Sequence, residues 1–518
     1  MKKTILLCTL FTSFVAKAQV SGTLDSTFGD NGAIHWAATS GVANGLREVK
    51  LLPDGRFLAA GEVDGSNIDM IVAKFKANGK PDSSLQGLSF SMFDPFLGAD
   101  DYTYCIDVLP DGKILLGGYQ AGTNDNDVII YKINTDGSID NTWGNNGKVM
   151  VDAGGFESAM KIQAQPDGKI LIGCTRYTNN GSNMFIVRLL ADGTPDNTFS
   201  NDGISPVIFV GQTQGNFVDM HVLPGGNIIV CGTISDGVLP QIGMAKLNNA
   251  GMVMPTFGVG SKFKFAMDGK ASQVFNMIRT SNNKMLLSCT YSRANNDKSG
   301  VLLMVDTNGV IDNIFGANKG VISYDMTNLA EDEQFTDVME MKNGNFFVLS
   351  NYEDVNNKRH TLGLMFDPNG NPYTGFGNNG HILYSATNDY SILSVSSIVP
   401  QPDGKVLIAG NAKNTITNET EFLVYRLNLE NKATSGIAIS GNNTAVSLYP
   451  NPASAYFKIM GNDRIENVMM YDAAGKQVAQ WNSNTEVYTV PENVANGLYY
   501  IKVKFAEDYS VLPVHINR

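Results

Sequence analysis

Gln165-Pro166-Asp167-Gly168-Lys169-Ile170-Leu171-Ile172-Gly173-Cys174 is the stretch on which the fold turns. Pro pre-sets φ for the first turn position, Asp accepts a nearby backbone N–H, and Gly supplies φ > 0. An alternating segment, Met160-Lys161-Ile162-Gln163-Ala164, leads into the turn, and an apolar run, Ile170-Leu171-Ile172, leaves it. Strand, tight turn, strand is a β-hairpin. The turn recurs as Pro53-Asp54-Gly55-Arg56, Pro110-Asp111-Gly112-Lys113 and Pro402-Asp403-Gly404-Lys405. Looser copies are Pro224-Gly225-Gly226-Asn227, Ser281-Asn282-Asn283-Lys284 and Lys342-Asn343-Gly344-Asn345. The second turn residues fall at 54, 111, 167, 225, 282, 343 and 403, in steps of 57, 56, 58, 57, 61 and 60. Spacing this regular marks a structural repeat.

Each copy holds two further strand signals. Val128-Ile129-Ile130-Tyr131-Lys132-Ile133 runs into Asp136-Gly137, and Phe185-Ile186-Val187-Arg188-Leu189 runs into Asp192-Gly193. A Thr-Phe-Gly phrase follows, then a short strand such as Lys148-Val149-Met150-Val151. Four antiparallel strands form a sheet that cannot bury both faces alone, and seven such sheets stacked radially can. The expectation is an all-β chain whose bulk, residues 19–429, is a seven-bladed β-propeller. The phrase aromatic stands at Phe28, Trp143, Phe199, Phe257, Phe315 and Phe376, with Leu85 in its place in one degenerate copy, out of register with the turns. The chain therefore opens on a fourth strand, Ala33-Ile34-His35-Trp36, and closes on a blade of three strands. Adding one to the other closes the ring and removes its free edges.

The phrases Leu24-Asp25-Ser26-Thr27-Phe28-Gly29 and Gln401-Pro402-Asp403-Gly404-Lys405…Gly410 resemble the delta-60 repeat family of secreted and surface bacterial proteins. The resemblance covers about Leu24 to Asn428 and implies the fold and a surface setting, not a reaction.

Beyond Leu427 the pattern stops. Residues 430–444, rich in Asn, Ser and Gly, read as a linker. Residues 445–518 alternate apolar and polar between closely spaced turns, which predicts a small Ig-like β-sandwich. Tyr449-Pro450-Asn451-Pro452, the Tyr471-Asp472…Gly475-Lys476 turn and the Asn496-Gly497-Leu498-Tyr499-Tyr500 strand stand here in order. In these motifs the segment resembles the type A C-terminal sorting domain of the Bacteroidetes type IX secretion system. The resemblance implies passage across the outer membrane through that translocon. A sortase-like protease would then remove the domain and either release the propeller or attach it to surface lipopolysaccharide. Pro513 in the last strand requires that strand to lie at a sheet edge.

At the other end, Lys2 and Lys3, the apolar Ile5–Val15 and Ala16-Lys17-Ala18 form a signal peptide of residues 1–18, with cleavage between Ala18 and Gln19. The chain carries a net charge of −12, and loss of Lys2, Lys3 and Lys17 makes it −15. So acidic a chain is a poor partner for nucleic acid. Hydrophobic residues make up 43% and charged residues 17%, which excludes a disordered chain. Cys105, Cys174, Cys231 and Cys289 lie in or beside apolar strand runs, in different repeats, and read as buried thiols rather than disulfides.

The search for chemistry is mostly negative. Gly-x-Ser-x-Gly, His-Glu-x-x-His, a phosphate loop and Cys-x-x-Cys are all missing from the sequence. No catalytic residue, metal ligand or cofactor is expected. His35 and His381 occupy matching fourth-strand places and read as rim residues. Asp306-x-Asn308-Gly309-x-x-Asp312 and Asn134-x-Asp136-Gly137-x-x-Asp140 resemble calcium loops superficially, but turn chemistry accounts for them. Asp100-Asp101 and Glu331-Asp332-Glu333 read as solvated loops. Two function classes follow: a binding or adhesion platform for protein or glycan, which the absence of a catalytic cluster favours, and a polysaccharide-degrading hydrolase or lyase.

Overall fold

The computed structural model describes residues 22–429, apart from 40–41, 95–97, 123–124, 210, 294–296, 326–331 and 386–388. It also describes residues 447–516, apart from 450–452, 461–464, 473–475, 482–484, 486 and 505–508. The chain divides into two compact units, one spanning Val20–Glu430 and the other holding Asn431–Arg518.

The first unit is seven four-stranded antiparallel blades in sequence order. Their first strands are Ala43–Leu51, Asp101–Val108, Phe156–Ala164, Gln214–Val222, Ser272–Arg279, Asp332–Glu340 and Tyr390–Pro400. All seven line one axial cavity, so they are the innermost strands. In blades one to six the outermost strand comes last in sequence. In blade seven it comes from the chain's beginning: Ala33–Trp36 pairs with Thr420–Asn428, and Thr23–Leu24 extends the same pairing. The expected closure is therefore seen in the strand order.

Seven hydrophobic clusters fill the seven clefts between neighbouring blades. The one across the seam joins Phe28, Ile34, Phe422 and Val424 of blade seven to Leu46, Val49, Phe57 and Phe75 of blade one. Each blade thus buries both faces against its neighbours, which a lone sheet cannot do. Cys105, Cys174, Cys231 and Cys289 lie buried and unpaired, and burial pushes each thiol well above its ordinary value.

The repeat phrases hold the blades together. The cation after the first turn pairs with the Asp of the phrase, three residues before its aromatic or, in blade one, before Leu85: Lys113 Nζ lies 2.8 Å from Asp140, Lys169 Nζ 2.9 Å from Asp196, and Arg56 Nη1 3.0 Å from Asp82. The aromatic reaches the next blade. Trp143 packs under the turn at Gly193, where φ is +90° and a Cβ would stand 2.8 Å from the indole. Only glycine fits that turn. Side chains of Asp54, Asp111, Asp167 and Asp403 accept the N–H two residues on, as the turn chemistry demands.

The second unit is a sandwich of two sheets. One holds Ser447–Tyr449, Tyr456–Met460 and Tyr488–Thr489; the other is ordered Gln477–Trp481, Asn467–Asp472, Gly497–Lys504, Tyr509–Ile516. Phe457 and Tyr488 from the first meet Val468, Met470, Ile501 and Val503 from the second in one core. Pro513 lies on the edge strand, as a residue lacking an N–H requires. No helix among the described residues is long and apolar enough to cross a membrane.

Candidate functional site

The seven innermost strands are edges: one side pairs within the blade, the other faces the axis. Each carries a one-residue irregularity at the same place, immediately before Glu48, Cys105, Lys161, Asp219, Asn276, Asp337 and Ser397. A bulge re-aims the side chains beside it. These residues stand six before the second turn residue of every repeat. All but Cys105, which is buried in the cleft between blades two and three, form one tier around the axis, at the inner limit of a cavity of about 910 Å³ that extends toward the Pro-Asp-Gly end.

Charge and hydrogen bonding explain the tier. Unpaired edge amides need acceptors, and carboxylates supply them across the clefts. Glu48 Oε2 accepts Ile106 N–H at 2.9 Å, Asp219 Oδ2 accepts Met277 N–H at 3.4 Å, and Asp337 Oδ2 accepts Ile398 N–H at 2.6 Å. Below them Asp107 Oδ2 accepts Ala164 N–H at 2.8 Å, and His221 Nε2 donates to Met277 O at 2.6 Å. Lys161 Nζ stands 3.5 Å from Glu48 and 3.8 Å from Asp219. Their charges raise the ammonium well above its ordinary value against the pull of burial. Burial pushes Glu48 up, but Lys50, Lys161 and the Ile106 N–H outweigh it and hold the carboxyl below its usual range. Asp337 goes the other way: burial lifts it to about 7 despite two backbone N–H bonds and the charge of Lys161.

The channel's opposite end is aromatic. Tyr102 and Tyr119 stack at 5.0 Å, and Tyr104 lies 6.0 Å from Tyr119. Arg47 sits 5.4 Å over the Tyr104 ring, fixed by Glu62 at 2.5 Å. At the same end of the neighbouring blade, Phe156 and Tyr177 are cross-strand partners, 49% and 46% exposed. Large aromatics left this open are characteristic of recognition surfaces.

Sequence reasoning missed both ends. The axial tier takes a different residue type in almost every repeat, so no motif flags it, although counting six back from each turn finds it. Asp101 and Glu333, read as solvated loops, are fully buried on innermost strands; Glu331 lies outside the described residues. His35 and His381 stand on outermost strands as expected, but His35 stacks on Tyr390 at 3.6 Å and burial lowers it to about 4. The calcium-like turns are occupied by their own chain: Asp306 Oδ1 accepts Asn308 and Val310 N–H, and Asp312 takes Lys284 at 2.5 Å.

Ala18, Gln19, Pro450, Asn451, Pro452 and Gly475 lie outside the described residues. Tyr449 ends its strand in the three-stranded sheet. Lys476 N–H closes its turn onto Asp472 Oδ1 at 2.9 Å, and Asp472 pairs with Tyr499. The second and third tail motifs are therefore hydrogen-bonded neighbours, while the first belongs to the other sheet.

Residues 52–85, 109–142, 165–199 and 401–430 match a family described as a domain of unknown function (DUF5122) beta-propeller. Residues 447–513 match the secretion system C-terminal sorting domain. The chain carries delta-60-type propeller repeats and a type IX sorting domain, which directs export across the outer membrane to the cell surface or extracellular space. No curated protein is significantly similar to it in sequence. Among solved structures, a polysaccharide lyase of family PL25, an ulvan lyase bound to -[GlcA(1-4)Rha3S]-, is 14% identical over 79% of this chain and 96% of its own, with a TM-score of 0.46. A PQQ-bound aldose sugar dehydrogenase from Streptomyces coelicolor is 9% identical over 63% and 94%, at 0.35. The WD40 domain of SCAP from fission yeast is 7% identical over 77% and 97%, at 0.35. Likeness this distant carries no argument about activity.

Proposed function

We propose that the exported propeller is a binding platform whose ligand, a protein or a glycan, docks on the aromatic end of the channel around Arg47, Tyr102, Tyr104, Tyr119, Phe156 and Tyr177. One observation carries the choice of binding over catalysis. The carboxylates of the axial tier, Glu48, Asp219 and Asp337, are each committed to a neighbouring blade's backbone N–H. They serve as structural acceptors, whereas Phe156 and Tyr177 at the other end are left exposed. Tyr and Arg supply rigid, amphipathic contact area, the chemistry common at binding hot spots.

A glycan array and a polysaccharide-degradation assay on the same protein test this reading. Binding without turnover is expected, and Phe156→Ala with Tyr177→Ala should weaken it at least tenfold at unchanged melting temperature. Turnover of a polysaccharide, abolished by Asp337→Asn, would replace binding by the hydrolase or lyase reading.

The tail acts as an address. Its partners on this reading are the translocon and its sortase-like protease, with cleavage in residues 430–447. A chain ending at residue 429 should fold but accumulate in the periplasm, by fractionation and immunoblot. Its normal appearance at the surface would defeat the assignment.

A further inference from the structure

We propose that Asp127, Asp152 and Glu157 form a divalent-cation site, taking Ca²⁺ or a similar hard cation, that clamps blade two to blade three. Asp127 lies on the third strand of blade two, Asp152 just beyond its outermost strand, and Glu157 near the start of the innermost strand of blade three. One carboxylate oxygen from each lies within 4.8 Å of the other two. All the donors are oxygen, the set that hard divalent cations prefer.

The second observation is independent of this clustering. Glu157 is 0% exposed, yet neither of its carboxylate oxygens makes a hydrogen bond of good geometry, the Ala153 N–H only turning toward it, and Asp127 Oδ1 has no donor. Buried carboxylate oxygens are rarely left so. Asp152 keeps one oxygen on Gly154 N–H at 2.8 Å. No Lys or Arg nitrogen lies within 4.0 Å of the three carboxylates among the described residues. Arg176, the cross-strand partner of Glu157, is the rival for it: its Nη1 donates to Ala153 O at 2.7 Å, while its Nε has no partner and its charge acts on Glu157. Asp125 adds further negative charge to the cleft beside Asp127. Burial and the neighbouring carboxylates lift Asp127 above its usual range, and burial lifts Glu157 to about 7.

The cleft between blades one and two shows what a self-sufficient version looks like. Asp69 and Asp101 stand there in equivalent places, but Asn67 Nδ2 donates to Asp69 at 2.7 Å and Ala121 N–H to Asp101 at 3.0 Å. Asp69 and Asp101 each have a well-placed donor, whereas Asp127 Oδ1 and both oxygens of Glu157 have none of good geometry. The second cleft is also where the two blades hydrogen-bond directly, through Phe156 and Asn126.

The test uses the full chain expressed without residues 1–18, stripped with EDTA and titrated with Ca²⁺, Mn²⁺ and Mg²⁺ by calorimetry and thermal melting. One Ca²⁺ should bind at sub-millimolar concentration and raise the melting temperature by several degrees at saturation. Glu157→Gln and Asp127→Asn should each weaken binding at least tenfold, while Asp69→Asn leaves it unchanged. The apo protein separates the rivals. If the trio awaits a cation, Glu157→Gln raises the melting temperature in EDTA by relieving repulsion. If Glu157 instead serves Arg176, the same change lowers it. A lowered apo melting temperature, no binding by 10 mM Ca²⁺ or Mn²⁺, or binding retained in both variants would overturn the site.

Discussion

Blades three and seven contain the same joint, built by different routes. In blade three, Asp196 takes Lys169 Nζ at 2.9 Å and Arg188 Nε at 2.7 Å, and Arg188 lies 4.5 Å over Phe199. Arg188 then donates to Asn249 O of blade four. In blade seven, Asp25 takes Lys405 Nζ at 2.5 Å and Arg426 Nε at 2.8 Å, Arg426 lies 4.6 Å over Phe28, and its Nη1 reaches Ala77 O of blade one. The first joint's ion pair closes a short span of chain; the second links residues 401 apart. Gly22 completes the copy: φ is +83° and its missing Cβ leaves room for Phe376, as Gly193 does for Trp143. Its N–H donates to Asn428 O at 2.6 Å. The repeat is cut inside its second turn, and the contacts of that turn's glycine are kept.

The comparison can be broken most severely by removing the seam. Deleting residues 20–36 leaves blade seven with an unpaired strand edge and opens apolar faces on both sides, so the chain should aggregate. Retained solubility with a wild-type melting temperature would show that closure contributes nothing. Next come the two aspartates. Asp25→Ala and Asp196→Ala each strand buried cations and should each cost about 3–5 kcal/mol by denaturant unfolding. Equal costs would mean that connectivity is irrelevant once the ring is shut; a much smaller cost at Asp25 would mean that the seam breathes. Hydrogen exchange at Leu24 and Ile34 measures that breathing directly.

Acid sharpens the same contrast. Lys and Thr hydrogen bonds outweigh burial and hold both aspartates well below their usual range. Their stabilisation is therefore complete above the unfolded pKa of about 3.9 and lost as pH falls through the folded values. Both variants should have flattened acid melts. Smaller again, Gly22→Ala and Gly193→Ala should each cost about 1–3 kcal/mol for a strained positive φ. The last test serves as the control with opposite sign. Asp337, lifted to about 7, weakens the fold as pH rises from about 4 to 7. Asp337→Asn should flatten that window, read from melting temperature against pH, without touching the acid limb.

The turns were legible because their geometry admits few residues: a positive φ calls for Gly, and a local cap for Asp or Asn. The fourth-strand fragment Ala33–Trp36 was legible for the same reason, since the repeat arithmetic left it without a blade. The axial tier was not, because its demand is for a polar atom at a point in space. Glu48, Lys161, Asn276 and Ser397 all lie at that place. Asp127, Asp152 and Glu157 were hidden more deeply. They come from two repeats, and the evidence for them is their clustering with carboxylate oxygens that lack a well-placed donor, which no string of residues records.

The strand that leads out of the ring toward the tail, Thr420–Asn428, is not an outer strand. Lys405–Asn414 holds one side of it, and Thr23–Leu24 with Ala33–Trp36 holds the other. A pull arriving from the C-terminal side meets hydrogen bonds on both flanks, loaded along their strands. They would have to slip together, instead of opening one after another as they would along a free edge. Borrowing its last strand from the N-terminus gives the ring a double-sided grip on the segment by which it would be tethered.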